Sequence, residues 1–235
     1  MKNVKVVLAV LPFLFSACTD EYAGSNPEST GLSESARMGE LGPENPSNPF
    51  DAAGAICDEI TELVVETKPG AGSVAAIAAR VDAAMESHPE WGLSAASSPL
   101  SGRIAAIALL LDNSDPLGDA MAGSGMGAGA KSGLSGFVSL LSTSEVAPYE
   151  DIHALAVIYE SDMMSNTSYT GSERRRLLEI ASIARYSLYR KKRKDKDWET
   201  SVSVAGAISG SSDGASLAIR MAVVIGICKR QGITQ

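Results

Sequence analysis

Aromatic residues are scarce: Phe, Trp and Tyr together make up 5% of the chain. Alternating runs of β-branched and polar residues are missing as well. That removes the usual signature of half-buried strands and leaves helices as the expected elements. Histidine occurs only as His88 and His153, and neither stands in an H-x-x-x-H or H-E-x-x-H spacing, so no metal site is expected. A nucleophile elbow is lacking, because Gly133-Leu134-Ser135-Gly136 is one residue short of Gly-x-Ser-x-Gly. Lys131-Ser132 has neither the preceding glycine nor the preceding strand of a phosphate loop, and no cofactor is expected. Positive charge is in deficit, with 20 Lys and Arg against 28 Asp and Glu and a formal net charge of −8. A chain of that sign has no electrostatic reason to meet nucleic acid.

What is present begins with residues 1–17. Lys2 and Lys5 make a short positive n-region, residues 6–15 are an apolar h-region broken by Pro12, and the small residues Ser16 and Ala17 precede Cys18. That layout is a secretory signal peptide, too short to span a bilayer. Phe15-Ser16-Ala17-Cys18 resembles the lipobox of bacterial lipoproteins, with Phe15 where an aliphatic residue is usual. The resemblance implies cleavage after Ala17 and acyl chains, palmitate among them, on Cys18. Two or more such chains anchor stably, whereas one binds reversibly. Thr19, rather than Asp, after the cysteine implies sorting to the outer membrane of a Gram-negative bacterium. Asp20 and Glu21 resemble the acidic patch that sends some lipoproteins to the cell surface, and periplasmic and outward-facing placements both stay open.

Removal of residues 1–17 takes away Lys2 and Lys5 and no acid, moving the net charge from −8 to −10. Residues 18–47 follow as the lipidated N-terminus and a disordered tether. They are rich in Ser, Gly, Pro, Asn and Glu and poor in large apolar side chains, so they cannot offset their own ordering entropy. As a coil they span roughly 30 Å. Residues 48–235 are long enough to bury one core. Of three cysteines, Cys57 and Cys228 are left once Cys18 is assigned. They could close a disulfide between the first and last helices in an oxidising compartment, or stay as buried thiols that pack as small hydrophobes; the sequence leaves both open.

The apolar spacing within 48–235 predicts an all-α fold, a single helical domain of about seven to eight helices with a buried apolar C-terminal helix. Asn48-Pro49-Phe50-Asp51 predicts the first start: Asn48 as N-cap, Pro49 at the first helical position, Asp51 against free N–H groups. Phe50, Ala53, Cys57, Ile60 and Val64 line its apolar face, and Lys68-Pro69-Gly70 ends it. Ser73 caps a second helix, carrying Val74, Ile77, Val81 and Met85 and stopped before His88-Pro89. Ser98-Pro99 opens a third, with Leu100, Ile104, Ile107 and Leu111. Residues 118–136 hold seven glycines and predict a flexible loop or frayed connector. The alternative there is close helix packing through Gly123 and Gly127 or Gly125 and Gly129.

Beyond it, residues 137–141 predict a short helix, and Pro148 opens one with Ile152, Leu155, Tyr159 and Met163 on one face. Thr170 and Glu173 form a capping box. Their helix has Leu177, Ile180, Ala184 and Leu188 as its core face and runs on to Lys194. A Ser/Ala-rich helix over 197–209 precedes a last one over 213–230. In that last helix Leu217, Met221, Val224 and Cys228 share a face, and Val223, Ile225 and Ile227 make it apolar nearly all round, so it is predicted to be the central core helix. Its apolar run, interrupted by Arg220, falls short of the ~20 residues of a membrane span.

The strongest charge feature is basic. Residues 174–196 contain Arg174, Arg175, Arg176, Arg185, Arg190, Lys191, Lys192, Arg193, Lys194 and Lys196, half of the 20 basic residues of the chain. Cations near a helix C-terminus are favoured by the dipole, which accounts for part of this. The other reading is a docking face for anions, built on Arg174, Arg175, Arg185, Arg190, Lys191, Lys192, Arg193 and Lys194 and flanked by Tyr186, Tyr189 and Trp198. Anionic lipid, lipopolysaccharide or an acidic protein partner would suit it. Asp58, Glu59, Glu62 and Glu66 lie on the first helix, the last three along its outer side. That spacing marks a solvated face more readily than acid–base or calcium chemistry.

Asn48-Pro49-Phe50-Asp51 followed by Gly54 is similar to the start of a group of small uncharacterised exported bacterial proteins. Ala181-Ser182-Ile183-Ala184-Arg185-Tyr186-Ser187, then a charged break, an aromatic and a Gly/Ala-rich apolar hairpin, is similar to how such proteins end. The resemblance implies no activity and no site residues. The expected function is a binding or structural module at the outer membrane, using the basic helix. Two alternatives differ in class: a membrane-active or antagonistic protein that inserts the Gly/Ala-rich C-terminal hairpin, and a hydrolytic enzyme in which His88 or His153 meets a carboxylate in a pocket. No catalytic residue is expected.

Overall fold

The computed structural model describes residues 41–67, 72–88, 99–143 and 147–234. The signal, Cys18, the tether up to residue 40, the stop at Lys68-Pro69-Gly70 and Ser98 lie outside the described residues. Within them the protein is all-α: α1 (Ala52–Glu66), α2 (Val74–Ser87), α3 (Ile104–Asp112), α4 (Pro116–Gly123), α5 (Ala128–Thr143), α6 (Tyr149–Ser165), α7 (Gly171–Tyr189), α8 (Thr200–Gly210) and α9 (Ala215–Arg230). Leu100–Arg103 and Ser211–Asp213 are 3-10 turns, and Arg190–Lys194 is a π turn continuing α7.

The core is built around α9. Ala215 and residues 217–228 are buried, and the helix packs along α8 and against α1, α2, α3 and α7. A helix apolar on every side has no face to offer water, so it takes the centre. Glycine sets its distance from α8. A Cβ at Gly206 would lie 2.7 Å from the Met221 carbonyl oxygen, and one at Gly210 would lie 2.5 Å from that of Leu217. Small residues four apart do bring two helices together here, but in α8. Of the pairs expected to do so, Gly123 with Gly127 and Gly125 with Gly129, a Cβ at Gly123 or Gly125 would meet nothing within 4 Å, and one at Gly127 or Gly129 would meet only the Glu173 or Tyr169 side chain, not a helix backbone.

Residues 118–123 and 128–136 are helical, in α4 and α5, and only 124–127 form a short connection rather than the expected loop or frayed connector over the whole stretch. Asp115 caps α4 by accepting from the Gly118 N–H at 3.0 Å, with Pro116 in the first turn. Gly125 turns the chain at φ 64°. The Glu173 carboxylate then accepts from the Gly127 N–H at 2.9 Å, at the start of α5. Those ends, together with a buried face of Leu134, Phe137, Val138 and Leu141, outweigh the helix cost of glycine. The same Glu173 closes the expected capping box with Thr170, and Ser73 caps α2 as expected, accepting from the Ala76 N–H at 3.3 Å.

The N-terminal boundary differs from expectation. The first helix starts at Ala52, and Asn48 caps only the turn before it, accepting from the Phe50 N–H at 2.9 Å, while its amide is a core tie. Its buried amide donates to Glu160 Oε1 at 3.0 Å and to the Leu178 carbonyl at 3.1 Å. Packing also begins before residue 48: Asn45 is buried on Glu160, and Tyr149 donates to the Gly42 carbonyl at 3.1 Å. The buried stripe of α6 is Tyr149, Ile152, His153, Ala156, Glu160 and Met163. Leu155, expected inside, is 37% exposed, because the stripe is turned to bring Glu160 to α7. Cys57 and Cys228 are free buried thiols, not a disulfide. Burial pushes both up to about 12, with Asp58 adding to the rise at Cys57.

Candidate functional site

The basic stretch divides into a buried part and an accessible end. Arg185 is fully buried. Its Nη2 faces the carboxylates of Asp51 and Glu160, the second at 3.2 Å and itself fully buried. Ser182 donates to the Asp51 carbonyl at 2.8 Å. The Nε and Nη1 of Arg185 have no hydrogen-bond partner. His153 lies in the same neighbourhood, tilted against the Tyr149 ring at 5.7 Å. Burial holds its pKa below the usual value, and the Arg185 charge acts in the same direction. Arg190 is also turned inward, at 6% exposure. It donates to Asp58 Oδ1 from Nε at 2.9 Å and to the Asp58 carbonyl at 3.1 Å, and stacks over Trp198 at 5.5 Å.

Other cations of the stretch are also met from within the chain. Lys194 reaches Asp58 Oδ2 at 2.8 Å and also Glu62, Arg193 pairs with Glu150, and Arg175 pairs with Glu179 at 2.7 Å. Arg174 points its guanidinium to the Tyr169 carbonyl at 3.5 Å. Arg176 ties Ser211 at 3.0 Å to α7. The eight residues expected as a docking face therefore do not form one, because Arg185 and Arg190 are removed from it by burial. Tyr186 and Trp198 are buried as well, not interfacial. The acids of α1, read as a solvated face, supply the counter-charges at Asp58 and Glu62. Glu59 instead meets His88 at 3.1 Å at the surface.

At the far end the π turn, closed by the Asp195 N–H on the Arg190 carbonyl at 2.7 Å, separates the cations. Arg190 and Lys194 go to α1, whereas Lys191 and Lys192 line a cleft of about 320 Å³. Leu117 of α4, Val138 and Leu141 of α5, Leu188 of α7 and Val204 of α8 supply its apolar side chains. Glu199, Thr200 and Ser201 complete the lining at the start of α8. Lys192 donates to the Ala147 carbonyl at 3.1 Å, which fixes it there. Glu199 approaches Lys229 at 3.9 Å. Glu199 gives α8 no side-chain cap, so the free N–H groups of the first turn leave partial positive charge at this end. The Thr200 hydroxyl is buried without a partner.

An apolar cleft with a few polar groups is the make-up of a small-molecule pocket. Among its described lining residues there is neither histidine nor cysteine. Among the described residues no group of three or more His, Cys, Asp or Glu is placed to hold a metal ion, and no helix is long and apolar enough to cross a membrane. Sequence reading singled out Lys191 and Lys192 but missed the rest of the cleft, because its apolar side chains come from four helices and each reads as ordinary core. Glu160 was also missed, although an acid four residues after Ala156 on an apolar stripe is a usable signal. No protein-family model matches the chain, nor does any curated protein or solved structure.

Proposed function

We propose that the protein is an outer-membrane lipoprotein, anchored by acyl chains on Cys18, that acts as a binding module for anionic ligands at the Lys191–Lys192 end of α7. The observation that carries this reading is the division of the basic stretch. Arg175, Arg185, Arg190, Arg193 and Lys194 meet acids of the same chain, and Lys191 and Lys192 border an apolar cleft. On a mature chain of net charge −10, two lysines beside an apolar recess favour an anionic ligand there. The signal and lipobox residues support the placement at the membrane.

The test uses the mature-length chain with Cys18→Ser, so that the anchor does not mask other contacts. It should co-sediment with vesicles containing phosphatidylglycerol and not with neutral ones, and Lys191→Glu with Lys192→Glu should abolish the association. Equal sedimentation of both forms would overturn the reading. Insertion of the α8–α9 hairpin is the competing reading. It draws on two apolar helices in backbone contact through Gly206 and Gly210. It predicts dye release from the same vesicles, whereas a binding module leaves them sealed.

A further inference from the structure

We infer that the outer face of α6 is a docking surface for a cationic amphipathic helix of another protein. α6 packs against α7 and α5, with Ile152, Ala156, Glu160 and Met163 turned inward. Its other side carries Asp151, Ala154, Leu155, Ile158, Ser161 and Asp162, all exposed, at the three- and four-residue steps that line up along one side of a helix. Leu155 is 37% exposed and Ile158 57%. Among the described residues they are the only two exposed large hydrophobics that share a helix. A single exposed leucine needs no explanation. Two aliphatic side chains that adjoin on one stripe offer a partner a continuous apolar ridge.

Charge selects the occupant. Asp151 and Asp162 bracket the ridge, about three turns and ~16 Å apart along the axis. α6 contains no lysine or arginine, and neither carboxylate forms an ion pair with a described residue. An anionic membrane surface would meet both acids on approach. A second copy of the chain would set aspartate against aspartate whether the two helices ran parallel or antiparallel, and like charges so placed oppose association. A helix that repeats the Asp151–Leu155–Ile158–Asp162 spacing, with lysine or arginine for each acid, matches every group. Its aliphatic side chains cover Leu155 and Ile158, and its cations meet Asp151 and Asp162 at the rim. The net charge of −10 on the mature chain steers such a partner inward. The surface is independent of the anion-binding reading, since no residue of α6 is among the described lining of the cleft.

The experiment titrates the Cys18→Ser mature chain into a fluorescent synthetic peptide of that spacing, with lysine at the two ends, leucine between them and an alanine–glutamine background. Anisotropy reports binding. One control peptide carries glutamate in place of lysine, and another has its leucines moved to the opposite side of the helix. Saturable binding of the lysine-ended peptide is expected, with each control about tenfold weaker or more. Leu155→Ser with Ile158→Ser should weaken binding about tenfold or more, by loss of the apolar ridge, with the melting temperature retained because both side chains are exposed. Asp151→Lys with Asp162→Lys should invert the preference, losing the lysine-ended peptide and gaining the glutamate-ended one. The serine variant carries the test alone if that charge reversal lowers the melting temperature.

Absence of saturable binding, equal affinity for the peptide with displaced leucines, or full affinity in the serine variant would overturn the inference. So would association with vesicles of neutral lipid that the serine variant loses, which would assign the ridge to a membrane surface.

Discussion

Arg185 and Lys192 lie about two turns apart on one helical run, carry the same charge and meet opposite fates. Arg185 faces α1 and α6, which bring Asp51 and Glu160 to it, and it is fully buried. Lys192 lines a cleft beside Leu117, Val138 and Val204 and donates to the Ala147 backbone carbonyl at 3.1 Å. The helix is not what distinguishes them; the elements packed on each side are. A run of cations therefore says little about surface function until its facing residues are known. The difference should appear first in stability. Arg185→Met removes the cation between two carboxylates and leaves both poorly compensated, so a loss of ~3–5 kcal/mol is expected from chemical denaturation. A loss under about 1 kcal/mol, the range of an exposed pair, would mean that Arg185 is no more structural than Lys192.

Arg190 lies between these extremes and sharpens the contrast. It is buried like Arg185, but its partner Asp58 keeps Lys194 at 2.8 Å when the guanidinium is lost. Arg190→Met should accordingly cost about 2 kcal/mol, short of the full penalty for stranding a buried charge. Combining it with Lys194→Met should cost more than the two single losses summed, because the second change strips the last cation from Asp58. Additive losses would show that the two cations act independently of the shared carboxylate.

How far the sequence reaches follows the same division between local and long-range causes. Caps are local chemistry, and Ser73 and the Thr170–Glu173 box stand where their spacing put them. The central place of α9 was legible because thirteen of its sixteen residues are apolar or small enough to need burial on all sides. The helices on either side of residues 124–127 were missed because glycine content registers the helix cost and not the Glu173 carboxylate, which arrives at Gly127 from 46 residues away. Asn48 was read only in part for a similar reason: its local bond to the Phe50 N–H follows from an asparagine before Pro-Phe-Asp, but Glu160, which its amide donates to, is 112 residues distant. Of the candidate site, only Lys191 and Lys192 were visible, since the other walls exist only once four helices are assembled.

The buried end should also respond to acid where the exposed end does not. Burial and the Arg185 charge both depress the His153 pKa in the folded protein. Below about 6.5 the unfolded chain takes up a proton at this site that the folded chain resists, so stability falls as pH falls through that window. One such site contributes at most ~1.4 kcal/mol per pH unit. His153→Phe keeps a ring against Tyr149 and removes the proton, so the stability curve between pH 6.5 and lower values should flatten relative to the parent. An unchanged slope would assign the acid sensitivity to other groups.

The smallest effect belongs to the cleft, and its smallness is the point. Lys191 and Lys192 are both half-buried at the rim, and Lys192 donates to the Ala147 carbonyl at 3.1 Å. Replacing both by glutamine keeps the apolar stems and most of the hydrogen-bonding capacity while removing the charge. Surface changes of this kind usually stay within about 0.5 kcal/mol, so the denaturation midpoint should barely move while anion binding drops. A loss comparable to that of Arg190→Met would place these lysines with the structural cations. Stability left intact with binding lost separates the two ends of the stretch by function as well as by burial.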